Sequence, residues 1–251
     1  MDVRLDDKVA VVTGAASGMG KAIAETMAQS GARVLAADIA IDRLEDAFAG
    51  NAAVTTCGVD MADAASVTAM IGKAVGVLGT VDVLVNNAGI MDLFEGVASL
   101  DLDVWRHVMA INLEGPMHAM RAALPVMLAR GSGSIVNICS TAAVSGAAAG
   151  CAYTASKHGL LGLTRSTAWI YADRGIRCNA VLPGSTATNI RESMTGRIDE
   201  VSLARLMPFH NIAPGQLQPQ DIANIVLMLA SDATRMINGA EIAADAGLTA
   251  A

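Results

Sequence analysis

The 251-residue sequence predicts one doubly wound α/β domain over residues 1–251: a single parallel sheet of about seven strands with helices on both faces. Three observations carry this expectation. Short apolar, β-branched runs alternate along the chain with longer stretches of helical periodicity. The first run passes directly into a glycine-rich turn and then a helical stretch. No repeat, linker or second core breaks the alternation, and successive units of this kind build parallel sheets with right-handed crossovers.

The elements follow in order. Lys8–Thr13 (KVAVVT) reads as a buried strand. Gly14-Ala15-Ala16-Ser17-Gly18-Met19-Gly20 is the glycine-rich turn, and Lys21–Gly31 the helix after it. Glycines let a backbone approach a pyrophosphate closely, and a helix N-terminus presents N–H groups and partial positive charge to it. Arg33–Asp38 is a second strand ending in an acid, which is placed to accept hydrogen bonds from ribose hydroxyls. Asp42–Phe48 is a short helix, Ala53–Val59 a third strand followed by Asp60-Met61, and Asp63–Leu78 a helix. Val81–Val85, a fourth strand, runs into Asn86-Asn87-Ala88-Gly89 at the sheet edge where open parallel sheets bind ligands.

Two helices are expected next, Leu102–Leu113 and Pro116–Arg130, with Asn112 near the end of the first and Pro116 at a first helical position. Gly133–Ser140 is a fifth strand, Ala152–Ala172 a long helix, and Ile176–Leu182 a sixth strand ending in Pro183-Gly184. Regular patterning fails from Ser185 to Pro219, which is expected to be a long functional loop. Asp221–Ala230 is the last helix and Ala240–Ala244 the last strand.

Composition narrows the function. Hydrophobic residues make up 53% and charged residues 16%, enough for a large core, and the net charge of −7 without basic clusters argues against nucleic acid. The charged start, Met1 to Asp7, lacks the apolar core of a signal peptide, and no apolar run is long enough to span a membrane. Cys57, Cys139, Cys151 and Cys178 are scattered, which fits a protein of the reducing cytoplasm. His107, His118, His158 and His210 lack metal-ligand spacing, so no metal is predicted.

The candidate chemistry sits in Tyr153-Thr154-Ala155-Ser156-Lys157, with Ser140 upstream. In a helix, Tyr153 and Lys157 lie one turn apart on the same face. An ammonium beside a phenol favours the phenolate, and a serine hydroxyl could hold a carbonyl oxygen within the phenol's reach. Such a set moves a proton to or from an alcohol oxygen while another group takes the hydride.

Together, Thr13–Gly20 (T-G-x-x-x-G-x-G), Asn86–Gly89 (N-N-A-G), Asn112, Ser140, Tyr153-x-x-x-Lys157, Asn179–Gly184 (N-x-V-x-P-G) and Asn238-Gly239 closely resemble the short, single-domain branch of the short-chain dehydrogenase/reductase family, over nearly the whole chain. The resemblance implies a Rossmann-like fold and a homotetramer in which helices matching Pro116–Arg130 and Ala152–Ala172 pair between subunits. It implies Tyr153 as general acid/base, and Lys157 as the group that lowers the tyrosine's pKa and binds the nicotinamide ribose. Ser140 would hold the substrate oxygen, and Asn112 a relay water. Gly14, Ser17, Gly18, Met19 and Gly20 would wrap the pyrophosphate, with Asp60 and Met61 flanking the adenine. Asn87, Ala88 and Gly89 would line the middle of the cofactor, and Pro183, Gly184, Thr186 and Thr188 would cover the nicotinamide. Met19, where isoleucine or leucine is usual, and the ending Ala244-Asp245-Ala246-Gly247 depart from the family pattern without touching the chemistry.

The expected activity is hydride transfer between NAD(H) and a secondary alcohol or ketone that is neutral and fairly apolar. NAD is expected because Asp38 would repel a ribose phosphate and no cation nearby offers relief: Ser17 is neutral, Ile39 apolar, Lys21 directed along its helix and Arg33 at the far end of the strand. Met91–Gly96, Thr141–Cys151 and Ser185–Ile212 are expected to choose the substrate, with Met91, Met194 and Met207 as a flexible wall. Two alternatives compete: an NADPH-dependent 3-oxoacyl-type ketoreductase and a dinucleotide-binding regulatory protein without turnover.

Overall fold

The computed structural model describes residues 3–250; Met1 and Asp2 of the charged start lie outside the described residues. Seven strands form one sheet: β1 Val9–Thr13, β2 Arg33–Asp38, β3 Val54–Gly58, β4 Val83–Asn86, β5 Gly133–Ile138, β6 Ile176–Pro183 and β7 Glu241–Ala244. Their order is β3-β2-β1-β4-β5-β6-β7, and every pairing is parallel. The inner strands, such as β1 and β4, read as continuous apolar runs because both faces are covered. In β1, Ala10 and Val12 face one core while Val9 and Val11 face the other.

The first core holds α1 (Gly18–Gln29) and α8 (Pro219–Ala230), through Ile23, Met27, Ile222 and Val226. The second holds α3 (Ala64–Leu78) and α5 (Gly115–Arg130), through Val67, Met70, Ala123 and Met127. Three short or solvent-side helices complete the set with the long α6: α2 Ile41–Ala47, α4 Leu102–Met109, α6 Cys151–Ile170 and α7 Glu200–Asn211. Strand order reverses at β1, between β2 and β4, and the ligand-binding crevice of such sheets opens there.

Three expectations change. α1 begins at Gly18, inside the glycine turn, because Gly18 turns the chain with φ +52° and leads directly into helix. The two helices expected around Asn112 are one rod: α4 and α5 are joined by a π-helical turn, Ala110–Glu114, in which the Gly115 N–H reaches the Ala110 carbonyl. Pro116 supplies a reason. It has no N–H to give the carbonyl of Asn112, its ordinary helical partner, so the ladder shifts.

The loop expected over 185–219 contains α7. Asp199 caps this helix by accepting from the N–H groups of Val201 and Ser202 at 3.1 and 3.0 Å. None of its residues is buried, so no apolar stripe announces it, and Pro208 lies inside it. Among the described residues, no helix is long and apolar enough to cross a membrane.

Candidate active site

Two cavities meet at the C-terminal edge of the sheet. A cleft of about 360 Å³ runs along the ends of β1, β2 and β4. A second space of about 160 Å³ lies over β5, β6 and the start of α6, and Met19, Thr188 and Ile190 border both.

The floor of the cleft is tied by the sequence motifs. The Thr13 hydroxyl accepts from the N–H groups of Asn87 and Ala88 at 3.0 and 3.1 Å, and the Asn87 amide donates to the Thr13 carbonyl at 2.9 Å. A Cβ on Gly14 would fall 2.8 Å from the Ala88 Cα, so glycine is needed where these turns touch. Gly14, Ser17, Gly18, Met19, Asp38, Ile39, Asp60, Met61, Asn87, Ala88, Gly89 and Thr188 all line the cleft. Gly20 packs behind it against Gly14.

Asp38 is held at the end of β2, with one carboxylate oxygen on the Ala16 N–H (2.9 Å) and the other on the Ala40 N–H (3.0 Å). One cation does share this wall. Arg43 of α2 lines the cleft beside Asp38 and pairs with Glu192 at 3.7 Å. Sequence reading missed it because it sits a helical turn beyond the strand end. Lys21, as expected, is turned aside, 3.6 Å from Glu25.

In the second cavity, Ser140 and Tyr153 face the same space, and the Ser140 hydroxyl accepts from the Ala142 N–H at 3.1 Å. Pro183, Gly184 and Thr186 form its edge toward the cleft. Lys157 is buried behind, donating to the Ile138 carbonyl at 2.9 Å, with its nitrogen near the edge of Gly89. Burial pushes the Tyr153 phenol well up, the Ser140 hydroxyl pulling the other way, and burial pushes Lys157 down to about 8. Burial thus opposes the lowering expected of the tyrosine, and the Lys157 nitrogen stands 5.5 Å from the centre of the ring.

Asn112 is fully buried and its side chain is spent on structure, taking the Ile90 N–H and giving to the Ile90 carbonyl, both at 2.9 Å, with a further bond to Ser156 at 3.3 Å. Both amide N–H groups of Asn112 are thus used, while its carbonyl oxygen accepts one bond and keeps a second lone pair.

All three segments expected to choose the substrate contribute to the second cavity: Met91 and Phe94, Thr141 and Ala148, and Ser185 through His210. Met194 and Met207 do not line it. Cys139 does, with its thiol pushed up to about 12 by burial, and the four cysteines are free. Two polar groups were not foreseen. Arg191 lines the cavity, and His210 turns its Nε2 into buried space without a partner. Burial, then the Arg191 charge, pushes that imidazole down.

A family model described as "Enoyl-(Acyl carrier protein) reductase" matches residues 14–249. The chain is 39% identical over 253 residues to 3beta-hydroxysteroid dehydrogenase 2 of Eggerthella lenta, covering 98% of this chain and 96% of that protein. It is 40% identical over 250 residues to the short-chain dehydrogenase/reductase olcF of Penicillium canescens, covering 96% of each. The chain belongs to the short-chain dehydrogenase/reductase family. Among solved structures of this family, levodione reductase superposes with a TM-score of 0.88 at 32% identity, covering 99% of this chain and all of that one.

Short-chain dehydrogenases/reductases are oxidoreductases that bind a nicotinamide dinucleotide, and the cleft fits one. Ser17 makes no capping bond at the start of α1, which leaves the first-turn N–H groups to an anion. Asn87 Oδ1 is buried beside them without a partner.

Proposed function

We propose that the protein is an NAD-dependent short-chain alcohol dehydrogenase/ketone reductase. The observation that carries this reading is that Ser140 and Tyr153 line one cavity, which shares Met19, Thr188 and Ile190 with the dinucleotide cleft. A nicotinamide dinucleotide, when bound, supplies the hydride acceptor or donor. Ser140 holds the substrate oxygen, and Tyr153 takes the hydroxyl proton as the alcohol becomes a ketone, or returns it in reduction. Lys157 orients the ribose, and the buried Asn112–Ile90 clamp keeps the loop after β4 in register with α6. Asp38, immobilised by two backbone N–H groups, favours an unphosphorylated adenosine ribose.

The substrate is a cyclic, largely apolar secondary alcohol or ketone, in keeping with Met91, Phe94, Phe209, Ala213 and Leu248 around it and with the steroid and levodione enzymes among its relatives. Arg191 favours a second version of that substrate, with an anionic group at the end away from the reacting carbon, in place of the wholly neutral compound expected from sequence. The test is a panel of cyclic ketones and alcohols, each in neutral and carboxylate forms, followed by reduced-nicotinamide absorbance with both dinucleotides. No turnover of any member would overturn the enzymatic reading.

A further inference from the structure

Asp92 has no counterpart among the motifs, yet its carboxylate is completely buried (0% exposed) and touches the acid/base helix directly. Oδ2 accepts from the Tyr153 N–H at 2.9 Å, and Oδ1 accepts from the Gly150 N–H at 3.2 Å and the Phe94 N–H at 3.1 Å. Gly150 is the residue that caps α6, and it has no side chain with which to do so. Asp92, from the loop after β4, serves as the missing cap. The fit is close: a Cβ on Gly150 would stand 2.5 Å from Oδ2. A second link, from the Cys151 N–H to the Glu95 carbonyl at 2.9 Å, joins the same two segments.

We propose that Asp92 is a positioning residue for Tyr153: it holds the first turn of α6 against the cavity wall, and its negative charge opposes ionisation of the phenol. The inference rests on the oxidoreductase reading above. The same loop places Met91 and Phe94 in the cavity, so one side chain sets both the wall and the phenol. Three N–H donors and a helix N-terminus favour the ionised carboxylate, against the burial that pushes Asp92 up. The groups around the phenol are Ser140 and Cys139 from the end of β5, Lys157 one turn along α6, and Arg191 and His210 across the cavity, with Glu95 behind Asp92. Asp92 and the thiol are the ones that act to raise Tyr153, and the Cys139 thiol, up at about 12, stays neutral.

The chain has two tyrosines, Tyr153 and Tyr171, so phenolate absorbance of the protein minus that of Tyr153→Phe isolates one titration without turnover. Asp92→Asn keeps an oxygen acceptor and removes the charge. Its Tyr153 midpoint should fall by about one pH unit, and the pH profile of alcohol oxidation should move down with it. Its kcat at the plateau should drop about tenfold, because only part of the cap survives, and Asp92→Glu should lose kcat without the downward shift. A midpoint that stays or rises in Asp92→Asn overturns the inference, whereas a normal shift in a protein that turns over no ketone indicts the enzymatic reading instead. Should Asp92→Asn fail to fold, Gly150→Ala displaces the carboxylate with its charge intact; an unchanged kcat there overturns the positioning role.

Discussion

The Lys157 ammonium stands over the face of the Tyr153 ring, 5.5 Å from its centre. It is bonded to a carbonyl of β5, and the Ser140 hydroxyl is the side chain that favours the phenolate. On the proposed reading, proton transfer and ribose binding would fall to two groups on one helix face.

Tyr153→Phe removes the transferable proton and little volume. It should lower kcat by about 10²–10⁴-fold, the usual contribution of general acid/base catalysis, with dinucleotide affinity within about threefold of the parent. Steady-state kinetics and fluorescence titration of the dinucleotide check both halves. A variant keeping more than a tenth of kcat would remove Tyr153 from the reaction.

In the protein alone, Tyr153 should titrate above the ~10 of free tyrosine. Lys157, down at about 8, has lost its charge before the phenol ionises. Lys157→Met should therefore leave the phenolate midpoint within about half a unit while weakening dinucleotide binding. The sign for stability follows from the same depression: between about 8 and its ordinary 10.5 the unfolded chain holds a proton that the folded one has released, so stability rises with pH there. Lys157→Met should flatten that rise in denaturant titrations taken across the window. A phenolate midpoint that climbs in the variant would show the ammonium persisting over the ring.

NAD should be preferred over NADP by about 100-fold in kcat/KM, since two anions ~4 Å apart repel by roughly 4 kcal/mol at an effective dielectric of about 20, and the Arg43 cation on the same wall offsets part of this. Because Arg43 is already in place, Asp38→Ala alone should narrow the ratio at least about tenfold, and adding Glu192→Gln should narrow it further by freeing the guanidinium. Arg43→Ala should widen it. Equal use of the two dinucleotides by the unaltered protein would mean that Asp38 does not read the ribose.

We expect a tetramer. Trp169 and Ile170 at the end of α6 are 86% and 58% exposed in the single chain, on a helix whose counterparts pair between subunits by family resemblance. Light scattering should give about four chain masses at micromolar concentration, and Trp169→Arg should shift the protein to smaller species. A single-chain mass for the unaltered protein would overturn the expectation.

The legible parts of the fold are those whose residues answer to one strong constraint. The strands are buried on both faces, so KVAVVT and RVLAAD could be read directly, and the glycine turn at Gly14–Gly20 is dictated by backbone approach. Asn112 is different: a shifted helical ladder has no pattern of its own, and only the missing N–H of Pro116 hints at it. Arg43 reaches Asp38's wall of the cleft from the next helix, a proximity that adjacency in sequence does not express. Asp92 could not have been found by spacing, since its partners at Gly150 and Tyr153 come from a distant segment and are backbone groups that leave no mark in the sequence.

Helix α7 carries His210 to the second cavity, with none of its own residues fully buried. Its apolar residues Leu203, Leu206 and Phe209 are only half-buried, so we expect its opening to be set by local contacts and to be less costly than unfolding of the sheet. Substitutions along Glu200–Asn211 can therefore accumulate with small effect on global stability, whereas changes around Tyr153 reach the core at once. On the proposed reading we expect new substrates to be acquired first through this one helix, since it can be rewritten without touching the core.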